Sequence, residues 1–354
     1  MAYGTVNADQ IQSSVTGVSL GAGNATNFKN RIINGAMVID QRNAGASVSA
    51  TNGAYSLDRW VSTSYDGSAQ TGKFTVQQTP STTETGYATR VAAGFTNYLA
   101  VTSSAATTVS SGGLYSIAQF IEGFNSADLA WGTSSAKTVT LSFLVYSSLT
   151  GTFGGCLMNS AANYAYPFSY SIPVANTWTT ISITVAGPTS GTWIGATNGI
   201  GMRVEFSLGT GSTYSGTANA WSANRYESAT GTVQVVATSG ATFYVTGVQL
   251  EVGSSATGFE YNDYGRELIL CQRYYEIFTG NYFLSYPLTA AVTSSWAVWY
   301  LKQTKRTAPT FALVSGGSWA NQTPNIFTTI DNVSFNNGTS YFYTTNTMTA
   351  SAEL

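Results

Sequence analysis

Residues 240–278, GATFYVTGVQLEVGSSATGFEYNDYGRELILCQRYYEIF, separate two β-rich regions and decide how the chain is divided. Thr242–Val252 carries β-branched and aromatic residues without a helix-forming run, which predicts a strand inside a sheet. Its apolar side chains change from one face to the other between Val245 and Val248. We therefore predict a β-bulge or a sharp twist at Gly247.

A helix over residues 266–278 is predicted to follow this strand. Asp263 is placed to cap the helix, and Glu267 lies near its positive end. Apolar residues recur at helical spacing in two stripes, so both faces of this short helix must be covered. We therefore expect it to lie between domains or at a subunit interface. The predicted interface residues are Leu268, Cys271, Tyr274, Tyr275 and Phe278.

The rest of the chain is predicted to be almost entirely β-structured. Apolar and polar residues alternate in segments 138–146, 181–185 and 202–208, as in half-buried strands. In segment 31–41, Asn34-Gly35 marks either a tight turn or a kink in one long strand. Many such strands separated by Gly, Ser and Asn turns predict an antiparallel β-sandwich rather than a parallel α/β sheet.

The same patterns give a division of the chain into four parts. Residues 1–27 lack the apolar periodicity of a packed element and are predicted to form an extended arm. Residues 28–262 form the β-sandwich, residues 263–280 the connecting helix, and residues 281–354 a second, smaller β-rich domain. The fold class is therefore all-β with one short helix.

Composition limits the partners of this chain. Only 8% of its residues are charged, against roughly 25% in ordinary soluble domains. A net charge of −2 gives no electrostatic footprint for nucleic acid. A surface with so few charges provides little repulsion between copies of the chain. We therefore expect part of it to be buried between the subunits of a homo-oligomer, most simply a trimer. No apolar run approaches the length of a membrane span, and no signal peptide is visible, which predicts synthesis in a cytoplasm.

Catalytic and metal motifs are weak. The chain contains no histidine, so the G-x-S-x-G match at residues 17–21 cannot belong to a Ser-His-acid triad. Cys156 and Cys271 lack metal-ligand spacing, and whether they form a disulfide stays open. No D-x-D-x-D pattern supports a calcium site, although a carboxylate and carbonyl site in the loops is an alternative. We predict no catalytic residue, no metal and no cofactor.

Carboxylates supply the one enzymatic alternative, a glycan depolymerase, because that chemistry needs only two of them. Glu122, Glu205 and Glu227 are candidates by residue type. We predict instead that Glu122 holds a turn, that Glu205 is solvated beside Arg203, and that Asp58-Arg59 is an ion pair at a strand end.

Three blocks resemble those of bacteriophage tail-fibre and related virion proteins, which are frequent in phages of cyanobacteria. They are NRIINGAMVIDQRN with YSLDRW, QFIEGFN followed by KTVTLSFLVY, and the segment from Gly240 to Tyr275. The resemblance covers about residues 29–278. It implies a jelly roll of the carbohydrate-binding-module type, a variable β-structured domain and often a trimer. It implies no shared catalytic residues.

The resemblance predicts a tail-fibre or adhesin component of a virion, made in the host cytoplasm and attached to the particle through residues 1–27. A capsid-attached head fibre or decoration protein is the alternative. The partners are other tail or baseplate proteins and host surface polysaccharide.

Residues 282–354 are predicted to make the distal contact, since aromatic and amide side chains on loops can stack on and hydrogen-bond a glycan. The alternative is that this region only joins the subunits. Trp60, Trp178 and Phe206 are assigned to the core. The predicted glycan-binding residues are Trp319, Asn321, Asn337, Tyr341 and Tyr343.

Overall fold

The computed structural model describes residues 28–278, 282–285, 295–313, 325–337, 341–344 and 347–354; for residues 282–285, 295–297, 325, 336–337 and 341–344 it describes the backbone. The predicted β-strands in segments 138–146, 181–185 and 202–208 are confirmed. Trp319 and Asn321 lie outside the described residues, as does the predicted arm.

Residues 48–252 form a jelly-roll β-sandwich of two six-stranded antiparallel sheets, as predicted. The first sheet contains, in spatial order, Val48–Thr51 (β1), Thr71–Thr79 (β4), Tyr98–Ser103 (β5), Thr242–Val252 (β14), Val139–Ser147 (β7) and Thr179–Val185 (β10). The second contains Tyr55–Leu57 (β2), Trp60–Asp66 (β3), Gly113–Glu122 (β6), Ile200–Thr210 (β11), Gly151–Asn159 (β8) and Ala165–Ile172 (β9).

The core lies between the two sheets because alternate side chains of each strand point inward. Trp60 and Phe206 belong to it, as predicted. Trp178 is buried too, but it packs on the outer face of the first sheet with Tyr98 and Tyr146. That outer face is covered by the segment that contains Tyr87–Ala92 (α1). The outer face of the second sheet is partly covered by residues 211–232, which include the paired strands Ser215–Gly216 (β12) and Ser228–Ala229 (β13).

The predicted bulge is confirmed at Gly247. Its φ of 62° lies in the left-handed region, and the register of β14 against β7 shifts between Thr246 and Gln249. A Cβ at Gly247 would lie 2.5 Å from the ring of Phe95, so a larger residue is excluded by space as well as by conformation.

Asn34-Gly35 forms a turn rather than a kink in a strand. Asn34 has a φ of 58°, and its side chain donates to the carbonyl oxygens of Ile39 and Asp58. Its own carbonyl accepts from the indole of Trp60 at 3.1 Å. The turn thus joins the first residues of the sandwich to its core.

The helix prediction was too long. The helix spans Tyr264–Gln272 (α2), capped by Asp263, which accepts from the Arg266 amide at 3.1 Å as predicted. Tyr275–Phe278 (β15) is instead a strand, paired with Met348–Ser351 (β22). Apolar spacing fits both structures here, and aromatic and β-branched residues favour a strand once a pairing strand is available.

The described chain itself covers the predicted interface residues. Cys271 and Tyr274 are fully buried against Ile33 and Ile39, with Leu268 packed at the edge of that cluster. Tyr275 and Phe278 are also buried. The argument from an uncovered helix face therefore no longer requires a second subunit, and the homotrimer stays a prediction.

The C-terminal region contains three small sheets within its described residues. β15 and β22 are joined by Thr310–Leu313 (β18), and Ser295–Tyr300 (β17), Asn332–Asn337 (β20) and Asn325–Thr328 (β19) form a second sheet. The third pairs Tyr282–Ser285 (β16) with Tyr341–Thr344 (β21). The core of the C-terminal region contains Phe278, Leu301, Val333, Phe335, Met348 and Ala350.

Candidate functional site

Three tryptophans meet at one edge of the sandwich, and we call them the tryptophan cluster (Trp131, Trp193 and Trp221). The ring centroids of Trp131 and Trp193 are 4.9 Å apart, and those of Trp131 and Trp221 are 5.4 Å apart. Trp193 and Trp221 are separated by 5.8 Å. All three pairs are edge-to-face, with interplanar angles of 81°, 78° and 89°, the geometry that aromatic rings prefer.

Backbone carbonyls fix the orientation of each indole. Trp131 donates its ring N–H to the carbonyl of Lys137 at 2.8 Å, and Trp221 donates to that of Ala186 at 2.8 Å. Trp193 donates to the carbonyl of its neighbour Ser190 at 3.2 Å. With their one donor satisfied, the indoles offer a ligand their faces and edges.

Two glycines with positive φ bring the supporting loops close to the rings. A Cβ at Gly132 would lie 2.8 Å from Trp193, and one at Gly191 would lie 2.8 Å from the ring of Tyr164. Their φ angles of 85° and 87° also disfavour other residues. The cluster is therefore held by backbone geometry as well as by packing.

A cleft of about 220 Å³ opens beside Trp131 and Trp193. Its lining is apolar and small, with hydroxyls from Ser126 and Thr133. Trp131 lines the cleft and is 7% exposed, whereas Trp193 and Trp221 are half-buried. The cleft residues are Ser126, Ala127, Leu129, Ala130, Trp131, Thr133, Trp193, Ile194, Gly195, Gly201 and Met202.

Such a cleft suits an uncharged ligand with apolar faces and hydroxyl groups, because aromatic rings pack on C–H faces while serines, threonines and backbone groups exchange hydrogen bonds. The sequence prediction missed these residues. The signal was present, since Trp131, Trp193 and Trp221 stand among Gly, Ser, Thr and Asn, the same context that singled out Trp319.

The predicted glycan-binding residues that the structure describes do not lie in one sheet. Asn337 is the last residue of β20 and pairs with Ser295 of β17. Tyr341 and Tyr343 lie on β21 and pair with residues of β16. Their role stays a prediction.

Glu122 has a structural role, as predicted, although it joins two regions rather than holding a turn. Its side chain is fully buried and accepts from the Arg273 guanidinium at 2.9 and 2.6 Å. It also accepts from the hydroxyl of Tyr274 at 2.7 Å. This carboxylate therefore ties the end of β6 to the segment after α2.

The prediction that Glu205 is solvated was wrong. Glu205 is 2% exposed, and its carboxyl is hydrogen-bonded to that of Glu227, which is also buried. Residues 211–232 cover this part of β11, which alternation along one strand does not reveal. Burial, and then the neighbouring Glu227 carboxylate, raise the pKa of Glu205 to about 8. Arg225 donates to Glu227 at 2.6 Å and balances its charge.

This pKa predicts that stability falls as the pH rises from about 4.5 to about 8. Above pH 4.5 the unfolded Glu205 loses its proton while the folded one keeps it, so the contribution is complete below that pH and is lost on approaching 8. The slope is up to about 1.4 kcal/mol per pH unit. Urea unfolding of the wild type and Glu205→Gln at several pH values measures it.

Between about pH 6.5 and 8 the Glu205→Gln protein should lose most of this slope. The exposed Asp128→Asn is the control and should keep it. An unchanged slope in Glu205→Gln would contradict the raised pKa of Glu205. The window starts above the pKa of Asp58, which burial raises to about 6.

The predicted pair of Asp58 with Arg59 was also wrong. Asp58 accepts from the backbone and side-chain nitrogens of Gln41, each at 2.7 Å. Arg59 has a φ of 69°, which turns its side chain toward Glu353, with which it forms an ion pair. Both residues are 1% exposed.

Cys156 and Cys271 are free and buried in separate clusters, so they do not form a disulfide with each other. Within the described residues no group of three or more acidic, histidine or cysteine side chains is arranged to hold a metal ion. None of the described helices has the length and apolar character needed to cross a membrane.

No protein-family model and no curated protein matches this sequence. Several solved structures are similar in fold. The enzymatically active domain of bacteriophage CBA120 tailspike protein 4 matches with 12% identity and a TM-score of 0.31, covering 63% of this chain and 21% of that chain. The match therefore spans about a fifth of the tailspike chain.

Two carbohydrate-binding modules match over more of their length. The family 11 module of Clostridium thermocellum, in complex with a mixed-linked tetrasaccharide, has 14% identity and a TM-score of 0.27, covering 58% of this chain and 96% of the module. The N-terminal cellulose-binding domain of Cellulomonas fimi β-1,4-glucanase C has 14% identity and a TM-score of 0.27, with coverages of 56% and 90%. Identities and scores at this level support no inference about a ligand.

Proposed function

We propose that this chain is a phage tail-fibre or adhesin-type virion protein that binds uncharged glycans of the host surface. The tryptophan cluster and its cleft carry the glycan-binding part of this proposal. Three indoles with satisfied N–H groups, a floor of apolar side chains and two hydroxyls match the alternating C–H faces and hydroxyls of a sugar chain.

The charge distribution supports a neutral ligand. None of the residues that line the cleft, all of which belong to the described part of the chain, is charged. The charged residues next to the lining in sequence are Asp128 and Arg203. Asp128 is paired with Arg31 at 2.8 Å and lies 3.8 Å from Lys137. Arg203 donates to the carbonyl of Ser160. An acidic polysaccharide would find no cluster of cations here, so binding should depend little on salt.

The proposed role is binding rather than hydrolysis. Hydrolysis of a glycoside needs two accessible carboxylates about 5 to 10 Å apart. Glu205 and Glu227 form a buried, hydrogen-bonded pair, and Glu122 is enclosed by Arg273 and Tyr274. All three of these carboxyl groups are therefore buried and engaged in structural contacts.

The virion part of the proposal rests on the sequence resemblance. Residues 1–27 attach the chain to tail or baseplate proteins, residues 282–354 lie distally, and three chains assemble. Immunogold labelling of intact particles tests the attachment. Labelled capsids with unlabelled tails would instead support a head fibre, and sedimentation of the purified protein as a monomer would contradict the trimer.

Replacing Trp193, which lines the cleft, or Trp221, which packs against Trp193, with alanine should lower glycan affinity about tenfold or more, since a few aromatic anchors carry most of the energy of such contacts. Affinity electrophoresis in gels containing soluble β-1,4-glucan, xylan or galactan measures the effect, with alginate as an acidic comparison. Both rings are half-buried, so circular dichroism and urea unfolding check that the fold is kept.

Tyr300→Ala is the matched control, because Tyr300 is a 79% exposed aromatic residue of the C-terminal region. We expect it to leave glycan affinity unchanged. If both tryptophan variants kept full affinity and Tyr300→Ala lost it, the glycan-binding site would lie in the C-terminal region instead.

A further inference from the structure

A second group of aromatic rings lies on the outer face of the first sheet, on the side opposite the core between the two sheets. We call it the aromatic floor (Tyr98, Tyr146, Trp178 and Tyr244). Tyr146 and Tyr244 are stacked at 4.9 Å with an interplanar angle of 7°. Tyr98 lies 4.9 Å from Tyr244 and 5.5 Å from Trp178. Tyr98, Tyr244 and Tyr146 lie on the adjacent strands β5, β14 and β7, and Trp178 directly precedes β10; Trp178 lies 5.5 Å from Tyr146 and 6.5 Å from Tyr244.

Residues 81–93, which we call the lid, cover this floor. Arg90 of the lid is fully buried and the Glu84 side chain nearly so, whereas most other lid residues are exposed. The Arg90 guanidinium lies 4.9 Å from the centroid of Tyr98 and 5.8 Å from that of Trp178. The planar guanidinium thus stacks against rings that could otherwise receive another flat or apolar surface.

Two of the three polar partners of Arg90 belong to the lid, and the third, Phe95, is buried beside the floor. The guanidinium donates to Glu84 at 2.9 Å, to the carbonyl of Ser81 at 2.5 Å and to the carbonyl of Phe95 at 2.6 Å. Lifting the lid with Arg90 would therefore keep the bonds to Glu84 and Ser81 but break the ring contacts and the bond to Phe95, which is buried with the floor rings. α1 is six residues long, and Gly86 at its N-cap position supplies no side-chain cap, so the helix adds little stability of its own.

Two buried polar atoms, one of the floor and one of the lid, lack a hydrogen-bond partner. They are the indole nitrogen of Trp178, a donor, and one carboxylate oxygen of Glu84, an acceptor. The Trp178 residue and the Glu84 side chain are each 5% exposed. Buried polar groups are normally paired, and sugar hydroxyls, which both accept and donate, could pair with an unmatched donor and an unmatched acceptor.

We infer that the aromatic floor is a second glycan-binding surface, which takes a neutral oligosaccharide when the lid lifts and Arg90 leaves the rings. The aromatic rings receive the C–H faces of the sugars. A sugar hydroxyl accepts from the indole of Trp178, and a hydroxyl can donate to the free oxygen of Glu84. Because the ring contacts of Arg90 must first be broken, the closed lid lowers the apparent affinity of the floor.

The experiment uses the full chain in a background where the first cleft is disabled by Trp193→Ala and Trp221→Ala, so that the two surfaces are measured separately. The probes are hexasaccharides of β-1,4-glucan, β-1,4-xylan and β-1,4-galactan. Titration calorimetry should detect weak binding of at least one of them. Arg90→Ala in this background should bind it about fivefold more tightly, because the lid opens more readily. Trp178→Phe, which keeps a ring and removes the donor, should bind it about fivefold more weakly.

Thr89→Ala is the control, since Thr89 lies on the exposed side of α1 and should leave affinity unchanged. Hydrogen exchange gives a readout that needs no lid variant: at saturating hexasaccharide the amides of residues 81–93 should exchange faster. Unchanged exchange in this segment, together with no binding by the Arg90→Ala protein in the disabled background, would overturn the inference. The proposed function is tested separately, by the affinity of the wild-type protein, in which the cleft beside the tryptophan cluster is intact.

Discussion

Replacing Glu353 with glutamine should lower the free energy of unfolding by about 3 to 5 kcal/mol, because it leaves buried cations without their counter-charge. Glu353 pairs with Arg59, which is 1% exposed, and with Arg42 at 2.7 Å. The two guanidinia also lie over the rings of Tyr274 and Tyr275, each at 3.6 Å. The carboxylate thus joins β22 and the segment after α2 to the sandwich. Urea unfolding at neutral pH measures the loss.

Asp128→Asn is a matched control for this prediction. It also removes a carboxylate from an arginine, Arg31, but Asp128 is 46% exposed, and we expect a change of about 1 kcal/mol or less. Equal effects of the two substitutions would show that the Glu353 carboxylate is not a buried counter-charge.

Replacing Lys305 with methionine should lower the free energy of unfolding by about 3 to 5 kcal/mol, because it leaves a buried carboxylate of the C-terminal region without a counter-charge. Lys305 and Glu276 are both fully buried, 2.7 Å apart. Glu276 also accepts from the backbone amide of Lys302 at 3.1 Å. Equilibrium unfolding followed by tryptophan fluorescence gives the measurement.

The double variant Lys305→Met with Glu276→Gln separates the charge from the packing. A glutamine keeps an acceptor for the Lys302 amide and carries no charge, so the double variant should regain about 2 kcal/mol or more relative to Lys305→Met. Additive losses in the two single variants and the double variant would mean that the pair is not coupled.

These two ion pairs change how the C-terminal region should be tested. Phe278 is the last residue of β15 and Met348 is the first residue of β22, and the two pair with each other in adjacent strands. A chain cut after Phe278 would expose the edge of β15 and remove Glu353 from Arg59. Loss of host adsorption by such a chain could therefore come from unfolding. Surface variants such as Tyr300→Ala examine the distal contact without this effect.

Strand positions and the bulge were predictable because they depend on neighbours along the chain. Side chains alternate across a strand, so the segments around Leu141, Ile183 and Val204 showed their period directly. The change of face at Gly247 marked the bulge, and Asp263 marked the start of α2. Low charge and frequent turns were enough to predict the antiparallel sandwich.

Local pattern was insufficient wherever a distant segment supplied the partner. The apolar spacing of residues 275–278 fits a helix or a strand, and pairing with β22, about 70 residues later, selected the strand. Glu205 has the polar neighbours of a solvated strand, but residues 211–232 cover it and place Glu227 against it. Arg59 adjoins Asp58 in sequence and pairs with Glu353.

The candidate site follows the same division. Its residue types were visible in the sequence as tryptophans among small polar residues, whereas their convergence was not, because Trp131, Trp193 and Trp221 stand on three separate loops. The sequence by itself determined an all-β sandwich with a seam near residues 240–278. The tertiary structure decided which aromatic side chains meet, which carboxylates are buried and how the C-terminal strand returns, since burial and pairing depend on contacts between residues far apart in the chain.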